Sequence, residues 1–372
     1  MLDIWKLVRD KYVLFEERDV DWDKVREEYE NIIEMNNDIN ITDLISDMLI
    51  KLNDPHTKLI IKNKFILPIE VYCIEDSFFI INNRDEYSNL NPGMRITSVN
   101  GIPIKELRDK VKYKYKYKSD NLINMEVVRL ITTSNVEANV RIESGKIYED
   151  LRYKPVESYL NTKDRSSSSN TIKFTSAVKF EEIGYIKIIS FMSHNLFEEF
   201  NESLNCLSDC KNLIIDIRGN LGGYINQALK FVSLFIEKSI VIGYQENRLT
   251  GVIEELKVEP SDNNICNKFN QIVILSDNNT ASSSEFIVLR AIKKHTNIKI
   301  IGTKSAGMAH SATVYNLSDG NVLLVTTCKY LDENKSVILE EGINPNIEIR
   351  NTIESLLKGV DNQLEYAINY IS

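Results

Sequence analysis

The chain has 372 residues, of which 43% are hydrophobic, with only 7 prolines and 14 glycines. This composition excludes an intrinsically disordered protein and predicts a folded protein of two or three domains. The net charge is -9, from 45 basic and 54 acidic residues mixed along the chain. We therefore expect no nucleic-acid partner, because nucleic-acid-binding surfaces concentrate positive charge.

The first residues have charges, at Asp3 and Lys6, where a signal peptide would be apolar, and no apolar run reaches membrane-spanning length. We therefore expect a cytoplasmic protein with no membrane partner. The cysteines have no metal-ligand spacing, and we interpret them as reduced thiols and expect no metal. They are Cys73, Cys206, Cys210, Cys266 and Cys328.

Residues 1–62 are predicted to form a helical region. Ile4, Val8 and Tyr12 recur at helical spacing, a second helix follows an acidic cap near Asp21, and a third spans residues 42–52. The turn 53–57 then leads into a strand at 58–61. Of the four histidines, only His56 lies in such a turn, although a lone histidine is more often structural than catalytic.

Residues 63–150 are predicted to form a small β-rich module, followed by a linker at 151–175. The module contains predicted strands at 69–72, 77–81 and 95–99 and a helix at 104–113. The clearest linker sequence is the serine-rich run 164–170.

Residues 176–372 alternate strands with helices, which predicts an α/β core. Near-continuous apolar strands, such as 213–217, are typical of strands buried on both faces. The predicted strands are 183–188, 213–217, 271–276, 299–302 and 322–328, and the predicted helices are 196–207, 224–236, 281–295 and 353–371.

Two strand-to-helix turns in this core could carry chemistry. Gly222 and Gly223 end the sequence DIRGNLGG, where backbone N–H groups could approach an oxyanion, or where a tight turn simply needs positive φ. Ser282 opens the predicted helix 281–295, whose free first-turn N–H groups could stabilise an oxyanion beside a serine nucleophile. Alternatively, Ser282 and Glu285 form a capping box with no chemical role.

These segments resemble the tail-specific, or C-terminal processing, serine peptidases, which are similar to the tricorn and chlamydial proteases. DIRGNLGG resembles the family's DLRGNxGG turn, and TASSSEF at 280–286 looks like its ASASE segment, in which Ser282 matches the nucleophile. DPHT at 54–57 resembles the family's DPHT or DGHT turn, and NPGMRITSVNG at 91–101 resembles part of a PDZ domain. The resemblance implies a ClpP/crotonase-like ββα spiral core with an N-terminal helical region and a PDZ-like module.

The Ser-Lys members of this family have a lysine base in a TFGKG loop, where this chain has Met308. The resemblance to the tricorn-like branch implies instead that His56 is the base. LEEGINPN at 339–346 resembles the segment with the family's acid, which orients the histidine and is either Glu340 or Glu341 here. The implied oxyanion hole consists of backbone N–H groups of Gly222 or Gly223 and of Ser283, with no metal or organic cofactor.

The resemblance thus implies a serine endopeptidase acting on a peptide or protein substrate. Lys304 is an alternative base in a Ser-Lys dyad, and His310 lies near the same loop, while His194 and His295 are interpreted as structural. A different class of function is a degenerate relative that binds a peptide or a lipid. The residues before Pro68 lack the glycines of a peptide-binding PDZ loop, so we do not predict that the module binds peptide tails. The sequence leaves the oligomeric state undetermined.

Overall fold

The structure is a computed structural model, and it describes residues 1–36, 39–61, 65–85, 88–117, 119–155, 174–248, 250–338 and 340–372. The predicted linker run 164–170 lies outside the described residues. No helix among the described ranges is both long enough and apolar enough to cross a membrane.

The N-terminal region is helical, as predicted, and is packed on the core of the protein. Asp21 and Asn40 cap two of its helices by accepting hydrogen bonds from backbone N–H groups. The apolar faces of the helices share one hydrophobic cluster with Leu323 and Val325 of a core strand. The helices are α1 (Leu2–Lys11), α2 (Phe15–Arg18), α3 (Trp22–Met35) and α4 (Ile41–Ile50).

The second region is a β-rich module with its own hydrophobic cluster. Its predicted strand at 95–99 is reduced to Ser98–Val99, and a second helix, which we did not predict, closes the cluster with Ile123 and Val127. The elements here are strands β1 (Lys58–Ile60), β2 (Phe65–Ile66), β3 (Ile69–Ile74), β4 (Ser77–Asn83), β5 (Ser98–Val99), β6 (Ile102–Pro103), β7 (Thr133–Ser134), β8 (Asn139–Ser144), β9 (Ile147–Arg152) and β10 (Lys154–Pro155) and helices α5 (Ile104–Tyr115) and α6 (Asp120–Thr132). Of these, β1 belongs to a sheet of the core.

The core is built on a six-stranded sheet with a largely apolar interior. The strands are β11 (Thr175–Phe180), β12 (Ile183–Ile188), β13 (Asn212–Asp216), β16 (Gln271–Ser276), β17 (Lys299–Gly302) and β20 (Ile347–Glu348). They follow the order β11-β12-β13-β16-β17-β20, and every pair except β11 with β12 is parallel. The predicted α/β core is confirmed.

Helices cover both faces of this sheet, which explains why its strands are apolar throughout. The larger cluster contains α7 (Leu196–Asn205), α8 (Ile225–Ser233), a π-helix (Ser284–Leu289) and α9 (Arg290–His295). The opposite face is covered by α11 (Asn362–Ile371), which is separated from α10 (Ile353–Leu357). The single C-terminal helix that we predicted is therefore wrong: Gly359 has a φ of 69°, and Asp361 caps a new helix.

A second sheet lies between the core and the N-terminal helices. Its strands follow the order β1-β19-β14-β15, and β18 also pairs with β19. Only β1 and β19 were predicted. The core strands of this sheet are β14 (Ile240–Asn247), β15 (Ile253–Val258), β18 (Ser311–Asn316) and β19 (Val322–Leu331).

Candidate active site

Four parallel strands end at the same edge of the six-stranded sheet. Open α/β sheets bind ligands outside the carboxyl ends of their strands. The segments that follow β12, β13, β16 and β17 at this edge are 189–194, 217–223, 277–283 and 303–310. The glycine turn and Ser282 both lie in these segments.

Ser282 is half-buried just before the π-helix, in a conformation that few serines adopt. Its φ is 55°, in the left-handed region that non-glycine residues rarely occupy. Its N–H donates to the carbonyl of Met308 (3.1 Å), and its carbonyl accepts from the N–H groups of Glu285 (2.8 Å) and Phe286 (2.9 Å). These bonds hold a strained backbone in place, as is frequent at functional sites.

The capping-box alternative for Ser282 is wrong. The buried Glu285 carboxylate accepts hydrogen bonds from the Ser305 hydroxyl (2.7 Å), the Gly307 N–H (2.8 Å) and the Met308 N–H (2.9 Å). Glu285 therefore holds the loop 305–308, and that loop in turn accepts the Ser282 N–H through Met308.

The glycine turn lies directly against Ser282. A Cβ atom added to Gly222 would be 2.8 Å from the Ser282 Cβ and 2.9 Å from the Ser283 nitrogen. The φ of Gly222 is 91° and that of Gly223 is 150°, so both glycines have the conformation that side chains disfavour.

Two of the three predicted oxyanion donors remain available. The Gly222 N–H already donates to the Asn220 side chain (2.9 Å). The bridge between the glycine turn and residue 191 uses the Gly222 carbonyl and the Tyr224 N–H, and so does not use the Gly223 N–H. The Ser283 N–H precedes the helix, where donors have no intrahelical acceptor.

Asn220 connects the glycine turn to the serine segment. Its side chain is fully buried, and its Oδ1 accepts from both the Gly222 N–H and the Ser284 hydroxyl (2.8 Å), while Nδ2 donates to the Ile188 carbonyl (3.0 Å). One amide thus fixes three of the loops at this edge relative to one another.

His56 lies in the turn before β1 and is only 8% exposed. Its Nδ1 is 4.0 Å from the Asp54 carboxylate, and neither ring nitrogen has a hydrogen-bond partner among the described residues. Burial lowers the pKa of His56 to about 4, although Asp54 acts in the opposite direction. The imidazole is therefore neutral at pH 7, the state that a general base requires.

The segment 308–310 connects the serine loop to the surroundings of His56. Met308 accepts the Ser282 N–H, and His310 lies two residues further, 2% exposed. Burial lowers the pKa of His310 to about 3, and the charge of His56 acts in the same direction. Because Nδ1 of His310 accepts from the Tyr330 N–H (3.2 Å), its proton lies on Nε2.

The two candidate glutamates lie in different environments. Glu340 is 7% exposed, and its carboxylate pairs with Arg18 at 2.6 Å, whereas Glu341 is exposed. Burial acts to lower the Arg18 pKa. The negative charges of Glu340 and Asp54 outweigh this effect, so the Arg18 pKa is raised. Arg18 in turn lowers the pKa of His56. The structure thus brings Glu340 into the charged cluster around His56 and leaves Glu341 at the surface.

The alternative bases are placed differently. Lys304 lines a cavity between the β-rich module and the core, with Tyr72 and Asp120, and Ser282 is not among the described residues that line this cavity. His194 is exposed and stacks on Tyr224 with ring centroids 4.4 Å apart. His295 ends α9, at the opposite end of the helical segment 284–295 from Ser282.

Sequence reasoning missed three residues of this site: Arg18, Asp54 and Asn220. Asp54 and Asn220 stand inside the motifs DPHT and DIRGNLGG, and their position there was a usable signal. Arg18 has no such signal, because its contact with Glu340 spans 322 residues. Within the described ranges, no group of three His, Cys, Asp or Glu side chains could hold a metal ion.

Comparison with family models gives two matches. Residues 1–50 match the tricorn protease C1 domain, and residues 182–349 match peptidase family S41, a range that includes the glycine turn, Ser282 and Glu340. Residues 182–349 belong to peptidase family S41. The predicted recognition of this family is confirmed.

Individual relatives of this chain are carboxy-terminal processing proteases. CtpA of Bacillus subtilis is 30% identical over 46% of the chain and 36% of its own length. The carboxy-terminal-processing protease of Bartonella bacilliformis is 26% identical over 50% of the chain and 43% of its own length. The chain thus matches less than half the length of these relatives.

A solved structure shows the same fold across almost the whole chain. Mature CPAF is similar with a TM-score of 0.73 at 13% identity, over 99% of this chain and 95% of that one. The fold of this chain is therefore the mixed α/β fold of S41 peptidase structures.

Proposed function

We propose that this chain is a serine endopeptidase that cleaves a peptide or protein substrate through an acyl-enzyme at Ser282. The backbone of Ser282 is the observation that carries the proposal. It is held at a φ of 55° by hydrogen bonds with the loop 305–308 and with the π-helix, and the glycine turn lies against its side chain. A capping or solvent-exposed serine does not need such support.

In the proposed reaction, neutral His56 accepts the proton of the Ser282 hydroxyl as its oxygen attacks the peptide carbonyl. The resulting oxyanion accepts hydrogen bonds from the N–H groups of Gly223 and Ser283, each contributing about 3 kcal/mol to transition-state stabilisation. His56 then protonates the leaving amine and later deprotonates the water that hydrolyses the acyl-enzyme. Glu340 is the proposed acid of the site, and its burial beside Arg18 supports this choice over Glu341.

The base is proposed to be His56 rather than Lys304. Support comes from the position of Met308, whose carbonyl accepts the Ser282 N–H in the loop where a lysine base would lie. Lys304 instead lines the cavity beside Tyr72. A thioether cannot accept a proton at neutral pH, and the buried imidazole of His56 can.

Two finer features of the fold are also proposals. The β-rich module, in which two helices pack with three small sheets, is proposed to be PDZ-like, and the core is proposed to be a ClpP/crotonase-like spiral. The cytoplasmic location stays a prediction from the sequence.

A fluorophosphonate probe tests the function. We expect the probe to modify the unsubstituted protein at Ser282, and we expect Ser282→Ala to abolish this labelling together with the cleavage of an unstructured fluorescent protein substrate. Ser336→Ala, at an exposed serine, is the control and keeps both activities. If the unsubstituted protein is not labelled, the peptidase proposal is wrong, and binding of a peptide or lipid becomes the better function.

A further inference from the structure

Asp54 lies beside the ring of His56, in the same DPHT turn. Its side chain is completely buried, and its Oδ1 is 4.0 Å from the His56 Nδ1. The same Oδ1 accepts the backbone N–H of His56 at 3.0 Å. The carboxylate is thus fixed to the residue whose ring it faces.

The second oxygen of Asp54 is fully used by neutral donors. Oδ2 accepts from the hydroxyl of Thr57 (2.7 Å) and from the hydroxyl of Thr326 on β19 (2.5 Å). Thr326 also donates its backbone N–H to the Thr57 hydroxyl (3.0 Å), which ties the DPHT turn to the sheet. Burial acts to raise the Asp54 pKa, but His56, Arg18 and these hydroxyls lower it, so Asp54 stays ionised.

One acceptor position of the Asp54 carboxylate is not used by the donors described so far. An ionised carboxylate has about four acceptor positions. The Oδ2 atom uses two of them for Thr57 and Thr326, and Oδ1 uses one for the backbone of His56. The remaining position belongs to Oδ1, the oxygen nearest to the His56 ring.

The His56 ring has the complementary need. Both ring nitrogens are buried and lack a hydrogen-bond partner among the described residues. An unsatisfied buried donor costs about 1–3 kcal/mol, so a small rotation that brings Nδ1–H to Oδ1 is favourable. Catalytic hydrogen bonds are often long before substrate binds.

We propose that Asp54 is a positioning residue, which accepts a hydrogen bond from Nδ1–H of His56 and thereby leaves Nε2 free to take the Ser282 proton. This inference rests on the proposed function for its catalytic meaning. Asp54 and Glu340 then have different tasks. Asp54 fixes the tautomer, while Glu340 offsets the positive charge of Arg18, which disfavours protonation of the ring.

The test is a measurement of the His56 tautomer by ¹⁵N NMR in the full chain with labelled histidines, assigned by comparison with His56→Gln. At pH 7 we expect the unsubstituted protein to have the Nδ1–H form with a downfield Nδ1 proton. In Asp54→Asn, the introduced carboxamide can donate to Nδ1, so we expect the Nε2–H form and a fall in fluorophosphonate labelling on the order of 10³–10⁴-fold. Asp262→Asn removes an exposed carboxylate outside the site and is the control.

The outcomes separate this inference from the proposed function. An Nε2–H tautomer in the unsubstituted protein overturns the role of Asp54, and this result needs no variant to fold. An unchanged tautomer in Asp54→Asn also overturns it, most directly if Glu340→Gln changes the tautomer instead. If the probe does not label Ser282 at all, the proposed function fails, and the tautomer measurement still decides the hydrogen bond.

Discussion

At the scale of single residues, the site depends on a histidine whose surroundings keep it neutral. Burial is the largest influence on His56, and the charges of Lys58 and Arg18 act in the same direction, whereas Asp54 favours the protonated ring. His310, the second buried ring, has a pKa near 3 for the same main reason. A base that stays neutral in mild acid differs from an exposed histidine, which is largely protonated at pH 5.5.

This environment predicts the pH dependence of labelling at Ser282. Because only neutral His56 can accept a proton, the rate falls as pH decreases through the pKa of the folded protein, which is about 4. We expect a constant labelling rate from pH 8 to about 5.5 and half of that rate near pH 4. The measurement is the fluorophosphonate labelling rate against pH, with circular dichroism to establish that the protein remains folded. A midpoint between pH 6 and 7 would show that the base is not the buried ring.

The residue scale also shows what the sequence could reveal. Ser282 and the glycine turn were predictable because each combines an apolar strand, a short turn and a helix within about 20 consecutive residues. The partners of Arg18 and Asp54 were not predictable, because Glu340 and Thr326 approach them from segments more than 270 residues away. Local patterns indicate which elements exist, and only the fold indicates which side chains meet.

At the scale of elements, the glycine turn and the serine segment fit together with no spare space. Asn220 fixes both segments, and atoms of Ala281, Ser282 and Ser283 occupy the space that any side chain at position 222 would need. Gly219, in the same turn, also has positive φ, 72°, yet a Cβ added to it would meet nothing within 4 Å. Gly219 is thus required only for its positive φ, whereas Gly222 is required both for its positive φ and for the lack of space around it.

Alanine substitution of these glycines gives a matched pair. Both Gly219→Ala and Gly222→Ala introduce a side chain at positive φ, which costs about 1–2 kcal/mol. Only Gly222→Ala also places a Cβ 2.8 Å from the Ser282 Cβ, so we expect it to lower probe labelling at least tenfold more than Gly219→Ala does. Labelling rates and thermal unfolding of both variants make the comparison. Equal labelling losses would mean that the contact with Ser282 is unimportant.

Whether a strand or helix could be predicted from the sequence depended on how clearly its burial is expressed in its residue pattern. The parallel strands β12, β13, β16 and β17 were found because burial on both faces makes them continuously apolar. Strand β15 was missed because most of its residues are exposed, and strand β14 was missed because Gly243 interrupts its apolar residues. Helix α6 was missed because no second helix was predicted in the module beyond the one at 104–113.

At the scale of the whole molecule, the N-terminal helices belong to the structure of the site. Val13 donates its N–H to the Thr326 carbonyl, Glu17 pairs with Lys329 of β19, and Arg18 pairs with Glu340. The first two contacts connect the segment between α1 and α3 to β19, whose Thr326 donates to Asp54, and the third connects it to Glu340. The first 18 residues therefore position groups that lie next to His56.

Removal of Arg18 tests this dependence. Arg18→Ala leaves Glu340 buried without its cation, and breaking a buried ion pair costs about 3–5 kcal/mol. We expect a lower free energy of unfolding in urea and weaker labelling of Ser282. Arg141→Ala, which breaks an exposed ion pair with Asp150, is the matched control and should change both quantities much less. If both variants have the same stability, the contact between Arg18 and Glu340 contributes little to the fold.

The site draws on residues near both ends of the chain: Arg18 and Asp54 from the first helices and the following turn, and Glu340 from just before the last strand of the sheet. During synthesis, Ser282 leaves the ribosome while Glu340 is still inside the exit tunnel or not yet translated. A nascent chain therefore has the nucleophile without its complete surroundings. The order of synthesis therefore delays the proposed activity until the segment with Glu340 has folded onto Arg18.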